Sequence, residues 1–194
     1  MLKQSFRFTL MCIAYVGIAG FFAWGMTPQE SAVTPDETLY ETGMKYLEND
    51  QYEKARIALQ SLINSYPDSE MTAEAYFAVG DTYYEEGGTE NLQQAIKQYS
   101  DFIKFFPVHP KAMDAQFRII SSKMKMMGAP DRDRLYTLRF EWAYMLRIER
   151  EMRNFIELFP NTENSPLIRQ WLERVQEILN KTEQIDNQNN QNNQ

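Results

Sequence analysis

Three aromatic–proline pairs set the frame of this chain: Tyr66-Pro67, Phe106-Pro107 and Phe159-Pro160. Counting back from each proline, similar residues recur. Ile63, Ile103 and Ile156 stand four before it, and Leu62, Phe102 and Phe155 five before. Leu59, Tyr99 and Met152 stand eight before, and Ala55, Ala95 and Ile148 twelve before. Ala75 and Ala115 stand eight after the first two prolines. These offsets put one apolar stripe on each of a series of helices. A helix this short is marginal alone and cannot bury its stripe without a neighbour that carries the same stripe. The pattern therefore predicts an all-α array of stacked helical hairpins. The first two prolines are 40 residues apart and the next two 53. The third unit thus carries an insertion, or a longer second helix, around GAPDRDRLYTLRFEW (128–142).

Capping residues divide the array. Thr34-Pro35-Asp36-Glu37 offers an N-cap Thr, Pro at the first helical position and a Glu closing a capping box. Asp50 with Glu53 repeats the box, Ser165-Pro166 opens the last helix, and His109-Pro110 is a weaker version. Gly87-Gly88 and Gly128 end helices. The expected helices span 35–49, 51–65, 69–86, 91–106, 110–127, 132–159 and 166–184: about three hairpins and a C-terminal capping helix.

Outside residues 35–184 the composition changes. Lys3 and Arg7 precede an uncharged apolar run, residues 8–26, so 1–26 reads as a signal peptide or a membrane anchor. Positive charge ahead of the run keeps that end in the cytoplasm and sends the rest across. Residues 27–34 read as a linker. The polar end IDNQNNQNNQ (185–194) is expected to be disordered. Cys12 sits early in the apolar run behind Thr9-Leu10-Met11, without small residues before it, and reads as an apolar filler rather than a lipid acceptor. One Cys and one His exclude Cys–His catalysis, Cys/His zinc sites and an internal disulfide. A net charge of −7 without a basic cluster disfavours nucleic acid. No Gly-rich phosphate loop is present. The expectation is a non-enzyme that needs no cofactor and no metal. His109 reads as a cap beside Pro110, Asp131 and Asp133 as caps of the long helix, and Arg132, Arg134 and Arg139 as a solvated basic face.

The repeat resembles the tetratricopeptide family. Gly43, Tyr46, Tyr52, Ala55 and Pro67 fall at that repeat's signature spacings, as do Gly80, Tyr83, Ala95 and Pro107, with three extra residues in the turn. The third unit departs, with Ile120 and Ile148 at the small positions. Three connections narrow the resemblance: Tyr66-Pro67-Asp68-Ser69, His109-Pro110 and Asp131-Arg132-Asp133. In that order they are similar to the BamD family of outer-membrane β-barrel assembly factors, over about residues 35–175. That family is typically lipidated and has about five repeats, and this chain departs on both counts. The resemblance implies a periplasmic scaffold that binds unfolded outer-membrane proteins and docks on the barrel insertase. Its expected place is the periplasm or the periplasmic face of the outer membrane. If residues 8–26 are retained, the place is instead an inner-membrane anchor.

In such a fold the first helix of each hairpin lines a groove. The inner-face spacing selects Glu37, Tyr40, Met44 and Leu47; then Glu74, Phe77, Asp81 and Tyr84; then Phe117, Ser121 and Met124. Aromatic and Met side chains beside a few carboxylates suit an extended or hairpin peptide. The same stripes fit inter-repeat core equally well, so both assignments stand at this point. A second functional class also stands, an envelope adaptor of the Tol-associated or cell-division type, which shares the Tyr-Pro-x-Ser repeat.

Overall fold

A computed structural model describes residues 34–127 and 139–192. Among the described residues there are seven helices and no strand. They are α1 (Pro35–Glu48), α2 (Tyr52–Ser65), α3 (Thr72–Glu86), α4 (Thr89–Phe105), α5 (Ala112–Met127), α6 (Arg139–Leu158) and α7 (Ser165–Asn192). The fold is the expected all-α, tetratricopeptide-like repeat.

The columns counted from the prolines are the core. Ala55, Ala95 and Ile148 are fully buried, and so are Leu59, Tyr99 and Met152. Leu62, Phe102 and Phe155 form the next buried column. Ala75 and Ala115 are buried too, and Ile168, eight residues after Pro160, completes their column. Three clusters result, one under α1–α3, one under α3–α5 and one under α5–α7. Tyr76 and Tyr83 of α3 touch both of the first two.

The turns between units repeat as well. Ser69 N–H donates to the Tyr66 carbonyl (3.0 Å) and Thr72 N–H to the Ser69 carbonyl (3.0 Å). His109 and Ala112 repeat the pair at 3.1 and 2.9 Å, donating to Phe106 and His109. These two consecutive turns delay α3 to Thr72, three residues later than the sequence suggested, and α5 to Ala112. The Thr72 hydroxyl also donates to the Tyr66 carbonyl (2.8 Å), and the Ser165 hydroxyl to the Phe159 carbonyl (2.6 Å). Each satisfies a carbonyl at the end of the preceding helix. His109 Nδ1 accepts the Lys111 N–H at 3.2 Å, the capping role expected of it.

Three local expectations change. Asp50 does not form a capping box: it sits in the turn at φ 56°, and its carboxylate accepts the Tyr52 hydroxyl at 2.8 Å. Asp tolerates this left-handed conformation better than most side chains. The last helix does not stop at 184 but runs on to Asn192, through most of the stretch expected to be disordered. Once α7 is nucleated on its buried face, adding Gln and Asn residues costs little per residue. The third unit is also rearranged, because α6 packs more closely with α7 than with α5. The segment expected to be a signal or anchor, the expected linker up to residue 33, Gly128, and the Asp131–Arg134 cluster lie outside the described residues.

Candidate peptide-binding face

The first helices α1, α3 and α5 stand side by side. α1 touches α3 and α3 touches α5, whereas α2 and α4 make no comparable contact. The row of first helices is therefore the more closely packed, inner side of the stack, and the second helices form its other side.

The predicted inner-face residues divide into two groups. Phe77 and Tyr84 are only 7% exposed and Ser121 5%. Their place in the core corrects the expectation that they line an open groove. Phe77 packs its ring on Tyr99 and Phe102 at 5.3 and 5.4 Å between centroids. The Tyr84 hydroxyl and Ser121 Oγ share a hydrogen bond of 2.7 Å. These three hold α3 against α4 and α5. Glu37, Tyr40, Met44, Leu47, Glu74, Asp81, Phe117 and Met124 are half-buried, each with part of its surface open. Phe117 stacks on Trp171 of α7, centroids 6.0 Å apart and planes 6° from parallel. Met124 packs against the same α5–α7 core.

The face also carries cations that the spacing argument passed over, Lys111 just ahead of α5 and Arg118 next to Phe117. Lys111 pairs with Glu74, whose other oxygen lies 3.6 Å from His109 Nε2. The Lys111 ammonium also lies 5.0 Å from the Phe77 ring centroid. Arg118 Nε is 3.7 Å from Asp81, its Nη1 is 3.4 Å from Glu85, and its guanidinium lies 4.4 Å from the Tyr84 ring centroid. Asp81 accepts the Tyr99 hydroxyl at 2.6 Å, which ties the inner face to the fully buried ring below it.

Charges here are tuned by partial burial. Burial pushes the Asp81 carboxyl above its ordinary range, against the pull of the Tyr99 hydrogen bond and of Arg118 and Lys111. Tyr99 is pushed up by burial and by the neighbouring Asp81 charge. Burial works against the charged forms of Lys111 and Arg118. Glu74, Tyr40 and Asp81 outweigh it at Lys111, and Asp81 with Tyr99 and Tyr84 at Arg118, so both cations are held more firmly. Tyr40 is raised by burial and feels Lys111, Glu74 and Asp81. Residues from α1, α3 and α5 thus form one electrostatic neighbourhood. Among the described residues, no group of three or more His, Cys, Asp or Glu is arranged to hold a metal ion.

Residues 33–186, most of the chain, match a family model described as YfiO, outer membrane lipoprotein. The chain belongs to the YfiO family of outer membrane lipoproteins. This is the BamD family to which the turn motifs pointed. No curated protein matches the chain individually. The YfiO match covers α1–α6 whole and α7 as far as residue 186, so the repeat array is the family's domain and not an addition to it. Among the described residues no helix is long and apolar enough to cross a membrane, and the apolar run 8–26 with Cys12 lies outside them.

Proposed function

We propose that this YfiO-family protein is a periplasmic scaffold of outer-membrane protein assembly. In this reading the inner face of α1, α3 and α5 binds unfolded outer-membrane proteins, and the array docks on the barrel insertase. The supporting observation is the inner face itself, where Tyr40, Met44, Phe117 and Met124 keep apolar surface open beside the Glu74–Lys111 and Asp81–Arg118 pairs. An unfolded barrel strand alternates apolar and polar residues. A face that mixes Tyr, Phe and Met with oriented charges offers partners to both kinds. Tyr and Phe supply contact area at low entropic cost, and Met adapts to irregular side chains. The role is binding and transfer of polypeptides, with no chemical step and no cofactor. The family's description favours the periplasmic face of the outer membrane as the place of work.

Photo-crosslinking amino acids at Tyr40 and Met44, and at Gln60 and Lys97 on the second helices, test the reading. Crosslinks from the inner-face positions to an unfolded barrel protein are expected, with few from the outer ones. Equal crosslinking from both faces would sink the groove. Affinity purification from gently solubilised envelopes tests the docking. Recovery of peptidoglycan enzymes or Tol components without a barrel insertase would move the protein to the adaptor class.

A further inference from the structure

Three cations stand at seven-residue steps: Lys111 just ahead of α5, and Arg118 and Lys125 within it. Two carboxylates on α3, Glu74 and Asp81, stand at the same step and pair with the first two. Continuing the step places Gly88 opposite Lys125. Gly88 lies beyond the end of α3, at φ 79°, and has no side chain to offer. Among the described residues no carboxylate lies within ion-pair distance of Lys125. Its ammonium instead sits 3.6 Å from the centroid of the Tyr84 ring. That ring is fixed from below by its hydrogen bond to Ser121 and already has the Arg118 guanidinium at 4.4 Å. An aromatic face offsets only part of a cation's charge. The α3–α5 seam therefore pairs its cations at two rungs, with Glu85 as a second carboxylate on Arg118, and at the third leaves Lys125 without a carboxylate among the described residues. Lys125 is exposed and lies in the last turn of α5, where the helix end favours a cation.

We propose that Lys125 is the subsite for one acidic side chain, Asp or Glu, of an extended polypeptide lying along the α3–α5 seam. This rests on the peptide-binding reading of the inner face and adds a position-specific charge preference to it. Seven helical residues advance about 10.5 Å, which an extended strand covers in about three residues. A ligand carboxylate at Lys125 thus leaves the ligand's neighbouring positions opposite rungs whose charge is already paired. The seam selects a single acidic residue and gives a polyanion no further gain. A lone ammonium is a point charge without an oriented fork. It suits a flexible side-chain carboxylate better than a chain terminus, whose carboxylate is fixed to the backbone and needs oriented donors.

Fluorescence anisotropy on the full chain tests this with a labelled peptide of about 12 residues that alternates like a barrel strand and carries one Glu. Its Glu→Gln form and its C-terminally amidated form are measured beside it. Lys125→Met should weaken the Glu peptide about threefold, the size expected of an exposed ion pair, and Lys125→Glu about tenfold. The Gln peptide should bind all three proteins alike, amidation should change nothing, and a Glu→Lys peptide should regain affinity for Lys125→Glu. Thermal melts of the variants should fall by no more than a few degrees, because the site is exposed and loses only the Tyr84 contact and the cation at the helix end. If the variants weaken Glu and Gln peptides equally, or leave the Glu peptide unchanged, the subsite falls while the groove stands. If amidation rather than Gln removes the effect, the seam reads a terminus and the proposal is wrong. If no peptide binds the unaltered protein, the groove reading falls and takes the subsite with it.

Discussion

In the first two units a glycine on the first helix meets a large side chain on the second. A Cβ on Gly43 would lie 2.6 Å from Leu59 Cγ, and one on Gly80 2.6 Å from Tyr99 Cε1. The third unit carries Ile120 and Met152 at the matching positions, and Ile148 where the others have Ala55 and Ala95. The first two units are close-packed by leaving atoms out. The third is filled with branched and flexible side chains, and its second helix turns toward α7. Where a repeat keeps its small residues its helices are held at close range by shape. Where it loses them, the helices separate and the space is filled by adaptable groups: Met113, Met124 and Met127 of α5, Met145 and Met152 of α6, and Trp142 and Trp171. The two regions bury side chains equally well but have different tolerances.

That difference can be broken experimentally, most forcefully at Phe155. It is 1% exposed and packs its ring on Phe159 with centroids 5.2 Å apart. Phe155→Ala should cost about 3–5 kcal/mol. Hydrogen exchange should then show α6 and α7 losing protection while α3 and α4 keep theirs. Uniform loss along the chain would mean one cooperative core and no real division.

Gly80→Ala probes the other region and should cost about 1–3 kcal/mol as overpacking. The added methyl meets the Tyr99 ring, which cannot swing away because its hydroxyl is held by Asp81. A thermal melt unchanged from the parent, or raised by the better helix propensity of Ala, would show that the close approach is slack. Met152→Leu is the matched control in the third unit, a volume-conserving change expected to cost under about 1.5 kcal/mol. A cost as large as that of Gly80→Ala would contradict the adaptability assigned to that cluster.

The smallest effect is on pH dependence. Asp81 has a folded-state pKa above its ordinary value of 3.8. The folded protein therefore holds this proton more tightly than the unfolded chain. The resulting stability is complete below 3.8 and is lost as pH rises through the folded-state value. Asp81→Asn keeps an acceptor for Tyr99 and should flatten that decline in a series of melts upward from pH 4. An identical slope in the two proteins would remove Asp81 as its source.

Much of this architecture is legible in the chain because the aromatic–proline pairs fix the phase of every stripe, and phase decides burial within a helix. The count that picked out Ala75 and Ala115 also finds Ile168 in the third unit. What phase leaves open is which neighbour a stripe meets. Phe77 and Tyr84 lie on a stripe that serves core or groove equally, and only the closeness of α3 to α4 and α5 buries them. The cations Lys111 and Arg118 gain their meaning from the lateral register of α5 on α3, which no single-helix periodicity contains. The seven-residue step that they share with Glu74 and Asp81 is the signal that could have revealed them. Asp50 was misjudged because its side chain had two partners within reach, the helix start and the Tyr52 hydroxyl. The length of α7 was underestimated because composition measures what can be buried, while a helix with one end anchored can continue without burial.

The hydroxyls of Thr72 and Ser165 occupy the same place after two very different units, one keyed by glycine and one by methionine. Each closes the carbonyl of the aromatic residue before the proline, and neither reaches into the core that precedes it. The junction is thus indifferent to its contents. A unit can have its interior rewritten, residue by residue, without losing this attachment to the next.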